Sequence, residues 1–236
     1  MNILAFESSC DETAVAVVRD GRTLLSDAIL SQADMHALYG GVVPEIASRK
    51  HVQAIAALTD KALADAGLAK KDIDAVAVTY APGLIGAVLV GVSFAKSAAY
   101  ALGVPLIPVH HVRGHIAANY LAFPELEPPF VALAISGGNT LIVDVADYTD
   151  MAVLGATRDD AAGECFDKAA RAKSRASAGA SSGSPFCWAL CARFTTAVFS
   201  PEKLISSSAP DTWALGRTYL PPCDCCASSS MGLPPG

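Results

Sequence analysis

The chain has 236 residues, 52% apolar but only 7% aromatic, so its core must be built from Ala, Val, Ile and Leu; a chain of this length can bury one large core or two small ones. A net charge of −6 argues against an autonomous nucleic-acid binder, because phosphate contact needs local positive charge. Neither a run of about 18 or more uncharged apolar residues nor a basic-then-apolar leader is found, so no membrane association and no signal peptide are expected, and the expected location is the cytoplasm.

In chain order, "NILAF" (Asn2–Phe6) and "TAVAVVR" (Thr13–Arg19) are short apolar or β-branched runs around a polar loop. Asp20-Gly21 is a hairpin turn signal that leads into "RTLLSDAIL". From Pro44 to Ala66 apolar residues recur at helical spacing, with Pro at the start and Gly67 just past the end. "DAVAVTYAPG" predicts a buried strand and a Pro-Gly turn, "GAVLVGVSFAKSAAYALG" a buried helix, "VPLIPV" a strand and "HHVRGHIAANYLA" a further helix. "FVALAIS" and "TLIVDVAD" are strands flanking a "GGN" turn, and "MAVLGAT" is a strand before a helix that opens near Asp160. Alternation of strands and helices after an initial hairpin implies an α/β fold with a mixed sheet and flanking helices.

Composition changes at Arg171. Residues 1–171 carry 12 basic and 20 acidic groups; residues 172–236 carry 5 and 3. Five of the seven cysteines, both tryptophans and 12 serines lie in that last stretch. Its Cys223, Cys225 and Cys226 lack the paired C-x-x-C spacing of most structural zinc sites.

Several motifs can carry chemistry. In "ESSCDET" a polar loop between strands offers hydroxyls and backbone N–H groups to an anion, chiefly around Ser9, Cys10, Asp11 and Glu12; an ordinary polar turn reads the same way. Cys10 has no base beside it in sequence and is taken as structural. In "HHVRGH", His111 and His115 are four apart and share one helical face, where they can chelate a metal or simply be solvated. Such a site needs a third ligand, typically a carboxylate from elsewhere, while His110 points to another face. "SGGNT" (Ser136–Thr140) lets backbone approach a phosphate, or forms a plain hairpin turn. In "DDAAGECFDKAAR", Asp159, Asp160 and Glu164 suit a helix start, and Asp167, further in, can accept a hydrogen bond from a ribose hydroxyl or hold a metal-bound water. The glycines of "YAPGLIGAVLVG" let a helix start approach the sheet or a ligand, and "GGVVPEIASRKH" contributes Glu45, Arg49, Lys50 and His51, with a solvated face the default for Arg49 and Lys50.

Together and in this order across residues 1–171, these motifs resemble the tRNA N6-adenosine threonylcarbamoyltransferase (TsaD) family, formerly labelled O-sialoglycoprotein endopeptidases or glycoproteases. The resemblance implies the actin-like ATPase superfold, two α/β lobes around a nucleotide cleft, with residues 1–171 as the N-terminal lobe. It implies transfer of a threonylcarbamoyl group from threonylcarbamoyl-AMP to N6 of adenosine 37 in tRNAs that read ANN codons. His111 and His115 then match ligands of one Fe2+ per subunit, with Zn2+ an alternative that two imidazoles suit equally. Ala134, Ile135, Ser136, Gly137 and Gly138 match the loop that contacts the intermediate, and Asp167 a further substrate contact. TsaB-like and TsaE-like proteins are the implied partners, docking through helices of the N-terminal lobe. Two competing readings are a metal-free, non-catalytic partner subunit of the same superfold and a metallopeptidase.

The family's later motifs, including the third metal ligand, are not recognisable after Arg171. Residues 172–236 are therefore expected to be an aberrant Ala/Ser/Cys-rich tail, out of frame or disordered, in place of the second lobe. Little or no transfer activity and weak metal binding are expected from such a chain.

Overall fold

The structure, a computed structural model, describes residues 1–166, 168 and 169, and the backbone of Phe194–Phe199. The chain separates into two compact units, Met1–Glu125 and Leu126–Gly236. The compositional seam at Arg171 thus falls inside the second unit.

The first unit is built on a five-stranded mixed sheet of order β3-β2-β1-β4-β5. Strands β1 (Asn2–Glu7), β2 (Glu12–Arg19) and β3 (Thr23–Ser31) form an antiparallel meander. The turn between β2 and β3 places Asp20 at φ 53° and Gly21 at φ 69°, the double left-handed geometry for which Asp-Gly is suited. β4 (Ala75–Ala81) then pairs parallel to β1, and β5 (Leu106–His110) parallel to β4. A parallel neighbour requires a crossover, and two helices supply it: α2 (Pro44–Asp65) before β4 and α3 (Ile85–Leu102) before β5. A short α1 (Ala33–Ala37), too brief to leave a periodic signal in sequence, precedes them.

Alternation along β1 and β2 turns Leu4, Phe6, Val15 and Val17 inward, where they join Val76 and Val78 of β4. Ile55, Ala62 and Leu63 of α2 and Ala95 and Ala99 of α3 cover them. The Phe6 ring meets Phe94 edge-on at 5.4 Å, a favoured aromatic arrangement. α3 keeps a stripe of small residues, Ala87, Gly91, Ala95 and Ala99, against the sheet. By length and composition α3 is also the one helix among the described residues that could cross a membrane. Its small-residue stripe packs with Val92, Phe94 and Leu102 on the core, while Ile85, 89% exposed, and Tyr100, 92%, face outward.

The helix expected over "HHVRGHIAANYLA" is two helices, α4 (His111–Ala117) and α5 (Asn119–Ala122). The Asn119 side-chain amide donates to the carbonyls of His115 (3.3 Å) and Ile116 (2.9 Å) at the break, the local competition that makes Asn a poor helix-interior residue.

The second unit has a four-stranded antiparallel sheet of order β8-β7-β6-β9. It comprises β6 (Phe130–Ser136), β7 (Thr140–Val145), β8 (Met151–Ala156) and β9 (Phe194–Phe199). Phe130, Ala132 and Ala134 alternate inward with Val143 and Val145. β9, which lies in the stretch expected to be an aberrant tail, pairs with β6 from Val131 opposite Phe199 through Ser136 opposite Phe194.

Because Phe6 is 3% exposed and packs on both strand and helix neighbours, Phe6→Ala is expected to lower unfolding free energy by about 3–5 kcal/mol. Ile85→Ala, at an exposed position, should stay within about 0.5 kcal/mol of the parent in the same denaturant titration.

Candidate functional site

Three parallel strands of the first unit end side by side. β1 stops at Glu7, β4 at Ala81 and β5 at His110, and their registers bring Phe6 opposite Val78 and Ala81 opposite His110. The carboxyl ends of parallel strands are where open α/β sheets bind ligands. Here those ends carry Glu7 with the loop Ser8–Asp11, the turn before α3, and the first residue of α4, His111.

Helical spacing places His111 and His115 on one face, as expected, and their Nε2 atoms lie 2.9 Å apart with the rings crossed at 82°. That separation is less than twice a Zn–N bond of about 2.0–2.1 Å, so one cation can touch both nitrogens. On the far side of the His111 ring, Nδ1 is 3.0 Å from Glu7 Oε2 and 3.1 Å from Ser9 Oγ. A carboxylate can only accept, so Nδ1–H of His111 donates to Glu7 and the lone pair is left on Nε2. This is the carboxylate–histidine arrangement that orients metal-binding imidazoles. Burial alone would raise the Glu7 carboxyl, but the hydrogen bond from His111, with those from Ser9 and Thr79, outweighs it and holds it at about 2. His115 is pushed down to about 4, by burial first and by the neighbouring His111 second, so it is neutral at pH 7 as a ligand must be. Among the described residues no third His, Cys, Asp or Glu completes a metal-binding group with the pair.

The loop after β1 is fastened residue by residue. Ser8 Oγ donates to the Ala87 carbonyl at 2.9 Å, and the Ser9 backbone N–H donates to Glu7 Oε1. The Ser9 carbonyl accepts from Leu84 N–H at 2.8 Å, the Cys10 carbonyl from His51 Nε2 at 2.9 Å, and the Asp11 carbonyl from Gln32 N–H at 3.0 Å. Of the expected anion loop, Ser9 and Asp11 are buried and Cys10 is exposed, while Glu12 begins β2. Gly83 permits this packing: a Cβ there would sit 2.6 Å from the Ser9 carbonyl oxygen and 2.7 Å from Ser9 Cβ. His110 points away from the His111–His115 pair toward Tyr80, ring centroids 6.4 Å apart, and its buried Nδ1 has no hydrogen-bond partner among the described residues.

The second expected group belongs to the other unit. Ala134, Ile135 and Ser136 end β6, and Gly137 and Gly138 form the turn to β7. Asn139 N–H donates to Ser136 Oγ at 3.0 Å and Ser136 N–H to the Asn139 carbonyl at 2.7 Å. The helical turn at 162–166 packs directly on it, since a Cβ on Gly163 would lie 2.7 Å from the Ser136 carbonyl oxygen and 2.8 Å from Gly137 Cα. Thr140 Oγ1 accepts from Ala162 N–H at 2.9 Å. Asp160 and Glu164 both pair with Lys168, at 2.6 and 3.0 Å, a surface network that accounts for two of the acids at this helix start. Asp167 lies outside the described residues.

Glu7, the first residue of "ESSCDET", is the site residue that the sequence does not single out, since nothing local ties it to a histidine 104 residues later. His51, one of the four residues expected from "GGVVPEIASRKH", is fully buried while Arg49 and Lys50 are exposed; it lies on the inner face of α2, in step with Ala47, Ala54 and Ile55.

Fold and site together define an α/β protein with a mixed sheet, a helix-borne histidine pair and a tightly fastened polar loop at the carboxyl ends of its parallel strands. The family model described as TsaD, tRNA N6-adenosine threonylcarbamoyltransferase, matches residues 23–208, past the Arg171 limit of the motif resemblance. The chain belongs to that family. Curated relatives named tRNA N6-adenosine threonylcarbamoyltransferase include one from Clostridium novyi, 59% identical over 172 residues (73% of this chain, 50% of the relative). Another, from Clostridium perfringens, is 60% identical over 170 residues (72% and 50%). The chain therefore spans about half the length of the curated relatives it matches. Similar solved structures include YeaZ from Pseudomonas aeruginosa, 22% identical with TM-score 0.44 over 65% of this chain and 64% of that one. A ROK family glucokinase from Streptomyces griseus is 12% identical with TM-score 0.48, over 75% and 62%.

Two predictions arise from this geometry. Glu7 releases its proton more readily folded (about 2) than at its ordinary 4.5, so it adds stability above about pH 4.5 that is lost as pH falls toward 2. The stability gap between wild type and Glu7→Gln should therefore be full at pH 6 and shrink across that window in urea titrations at stepped pH. Gly83→Ala forces a Cβ into Ser9 backbone and is expected to cost about 1–3 kcal/mol by the same method.

Proposed function

We propose that this chain carries the histidine-bearing part of a transferase that moves the threonylcarbamoyl group from threonylcarbamoyl-AMP to N6 of adenosine 37 in tRNAs reading ANN codons. The observation that supports this reading most is the convergence of His111 and His115, with Glu7 holding the opposite nitrogen of His111. His111 and His115 would hold an iron or zinc ion, and such an ion supplies Lewis-acid polarisation of a substrate oxygen when bound. Glu7 and Ser9 keep His111 in the tautomer that leaves Nε2 available, and His115 must carry its proton on Nδ1 to present Nε2 likewise. Ala134, Ile135, Ser136, Gly137 and Gly138, with Asp167, would hold the intermediate, as the family resemblance implies. In the transfer, N6 attacks the carbamoyl carbon, the bond from that carbon to the phosphate oxygen breaks, AMP departs with the electron pair, and N6 loses a proton. No side chain is needed as a nucleophile.

A metal-free partner subunit would have no use for two imidazoles converging at 2.9 Å with a carboxylate behind them. A metallopeptidase would place a general base between its paired histidines, as in H-E-x-x-H, where this chain has Val112, Arg113 and Gly114. A TsaB-like partner, with a TsaE-like one completing the complex in the cytoplasm, suits the outward faces of α3 and α2, where Ile85, Leu89 and Val52 are exposed.

The reading is tested by transfer to tRNA in the presence of TsaB- and TsaE-like proteins. The 236-residue chain should give product at or near background. Residues 1–171 grafted in place of the matching stretch of the full-length Clostridium perfringens relative should restore it. In that graft His111→Ala or His115→Ala should cut turnover by about a hundredfold or more, of the order seen when a main electrostatic contributor is removed. Full turnover with either alanine present would defeat the proposal.

A further inference from the structure

His51 is the largest polar side chain sealed inside the first unit, with no exposed surface. It projects from α2 toward the loop after β1 and makes two hydrogen bonds of opposite sense. The Cys10 carbonyl, 2.9 Å from Nε2, can only accept, so Nε2 carries the ring proton. Nδ1 is then an acceptor, and it takes the Thr13 hydroxyl proton at 2.7 Å. A neutral imidazole with one donor and one acceptor is thus fully satisfied, and it bridges both ends of a four-residue segment, Cys10 and Thr13, to the middle of a 22-residue helix. An ordinary core residue would fill this space with carbon. Placing a histidine there imposes a direction on the Cys10 peptide, and Ser9, one residue back, is the hydroxyl 3.1 Å from His111 Nδ1.

We propose that His51 is a positioning residue: by holding the Cys10 carbonyl inward it sets the path of Ser8–Asp11, and through Ser9 and Glu7 it fixes the ring of His111 on which the proposed metal and substrate site depends. The inference rests on that reading of the site for its functional meaning, but its geometry is independent of metal and substrate. Neighbouring bonds show why one carbonyl matters. The Ser9 and Asp11 carbonyls on either side accept from Leu84 N–H and Gln32 N–H, so releasing Cys10 loosens the middle of three consecutive inward carbonyls.

The experiment uses the full chain without metal, compares His51→Leu with His51→Gln, and reads two signals. The first is amide exchange at Gln32 and Leu84, whose N–H groups report whether the loop stays seated. The second is the 15N spectrum of the His111 ring, which reports its tautomer. In His51→Leu, Gln32 and Leu84 are expected to exchange about fivefold to tenfold faster, the scale of one lost hydrogen bond. Amides in the β1–β2 ladder should keep their rates, and the His111 signals should move toward mixed tautomers. His51→Gln, which keeps a donor at the ε position, should return both signals most of the way to wild type. Unchanged loop exchange and an unchanged His111 ring in folded His51→Leu would overturn the inference, as would a uniform rise in exchange across the unit that Gln fails to reverse. If His51→Leu does not fold, the 15N spectrum of the wild-type His51 ring decides: a proton on Nε2 is expected, and a ring protonated on Nδ1 alone could not hold the Cys10 carbonyl and would overturn the inference. A zinc titration of the graft of residues 1–171 in the full-length Clostridium perfringens relative separates the two claims: failure of that graft to bind zinc counts against the metal reading and leaves the His51 result standing.

Discussion

The hydrogen bond from His111 to Glu7 is the contact around which the first unit is arranged. A half-buried carboxylate costs free energy unless it is paired, and here burial is more than offset by one imidazole, one serine and one threonine, leaving the carboxyl ionised far below its ordinary range. The bond decides which nitrogen of His111 faces outward, and so whether the histidine pair can face a cation at all. It exists only because β1, β4 and β5 run parallel and end level. A register shift of one residue in β1 would turn Glu7 to the opposite face of the sheet and put a core side chain in its place.

Level strand ends are necessary but not sufficient, because the loop that follows β1 has to leave the sheet without unfastening Glu7. The three successive carbonyls of Ser9, Cys10 and Asp11 are each taken by a donor from a different element: the turn before α3, α2, and the residue preceding α1. Each bond alone is modest, about 0.5–1.5 kcal/mol net. Their joint effect is to leave the loop a single path. Gly83 belongs to the same constraint from the other side, since any side chain there would push on Ser9. The helices thus serve the site as well as covering the core.

Much of this was legible in the sequence, for reasons that differ by element. The meander, the Asp-Gly turn and the two long helices follow from alternation, periodicity and turn chemistry, all of which act within a few residues. The His111–His115 pair was legible because i and i+4 meet on any helix. Glu7 was not, since its partner is reached only through two parallel strand pairings. The division of "HHVRGHIAANYLA" was hidden in Asn119, whose amide competes for His115 and Ile116 carbonyls in a way that apolar periodicity does not register. His51 follows Arg49 and Lys50 directly, but a helix turns by about 100° per residue, so it leaves the solvent face that those two occupy. Its own side belongs to Ala47, Ala54 and Ile55. In the second unit, β9 falls in text whose Ser and Cys content looked foreign to the rest, yet its Thr-, Val- and Phe-bearing run "FTTAVF" has the composition of a strand.

Charge places a last condition on the proposed chemistry. Residues 1–171 carry 20 acidic against 12 basic groups, and at physiological salt such a surface repels a polyanion within a Debye length of about 8 Å. The anionic intermediate can still be held, because a small phosphate is bound by a few oriented N–H groups at short range, where local dipoles outweigh net charge. A tRNA spans many Debye lengths and meets the summed field instead. Under the proposed reaction the attraction that brings the anticodon loop to this unit has to come from surfaces other than residues 1–171. An enzyme so built would separate its tasks: chemistry on residues 1–171, and capture of the nucleic acid on basic surface contributed from outside them. The α2–α3 face, apolar where it is exposed at Val52, Ile85 and Leu89, is suited to fasten such a contributor by burial of area rather than by charge, so the contact would survive salt that weakens the hold on tRNA.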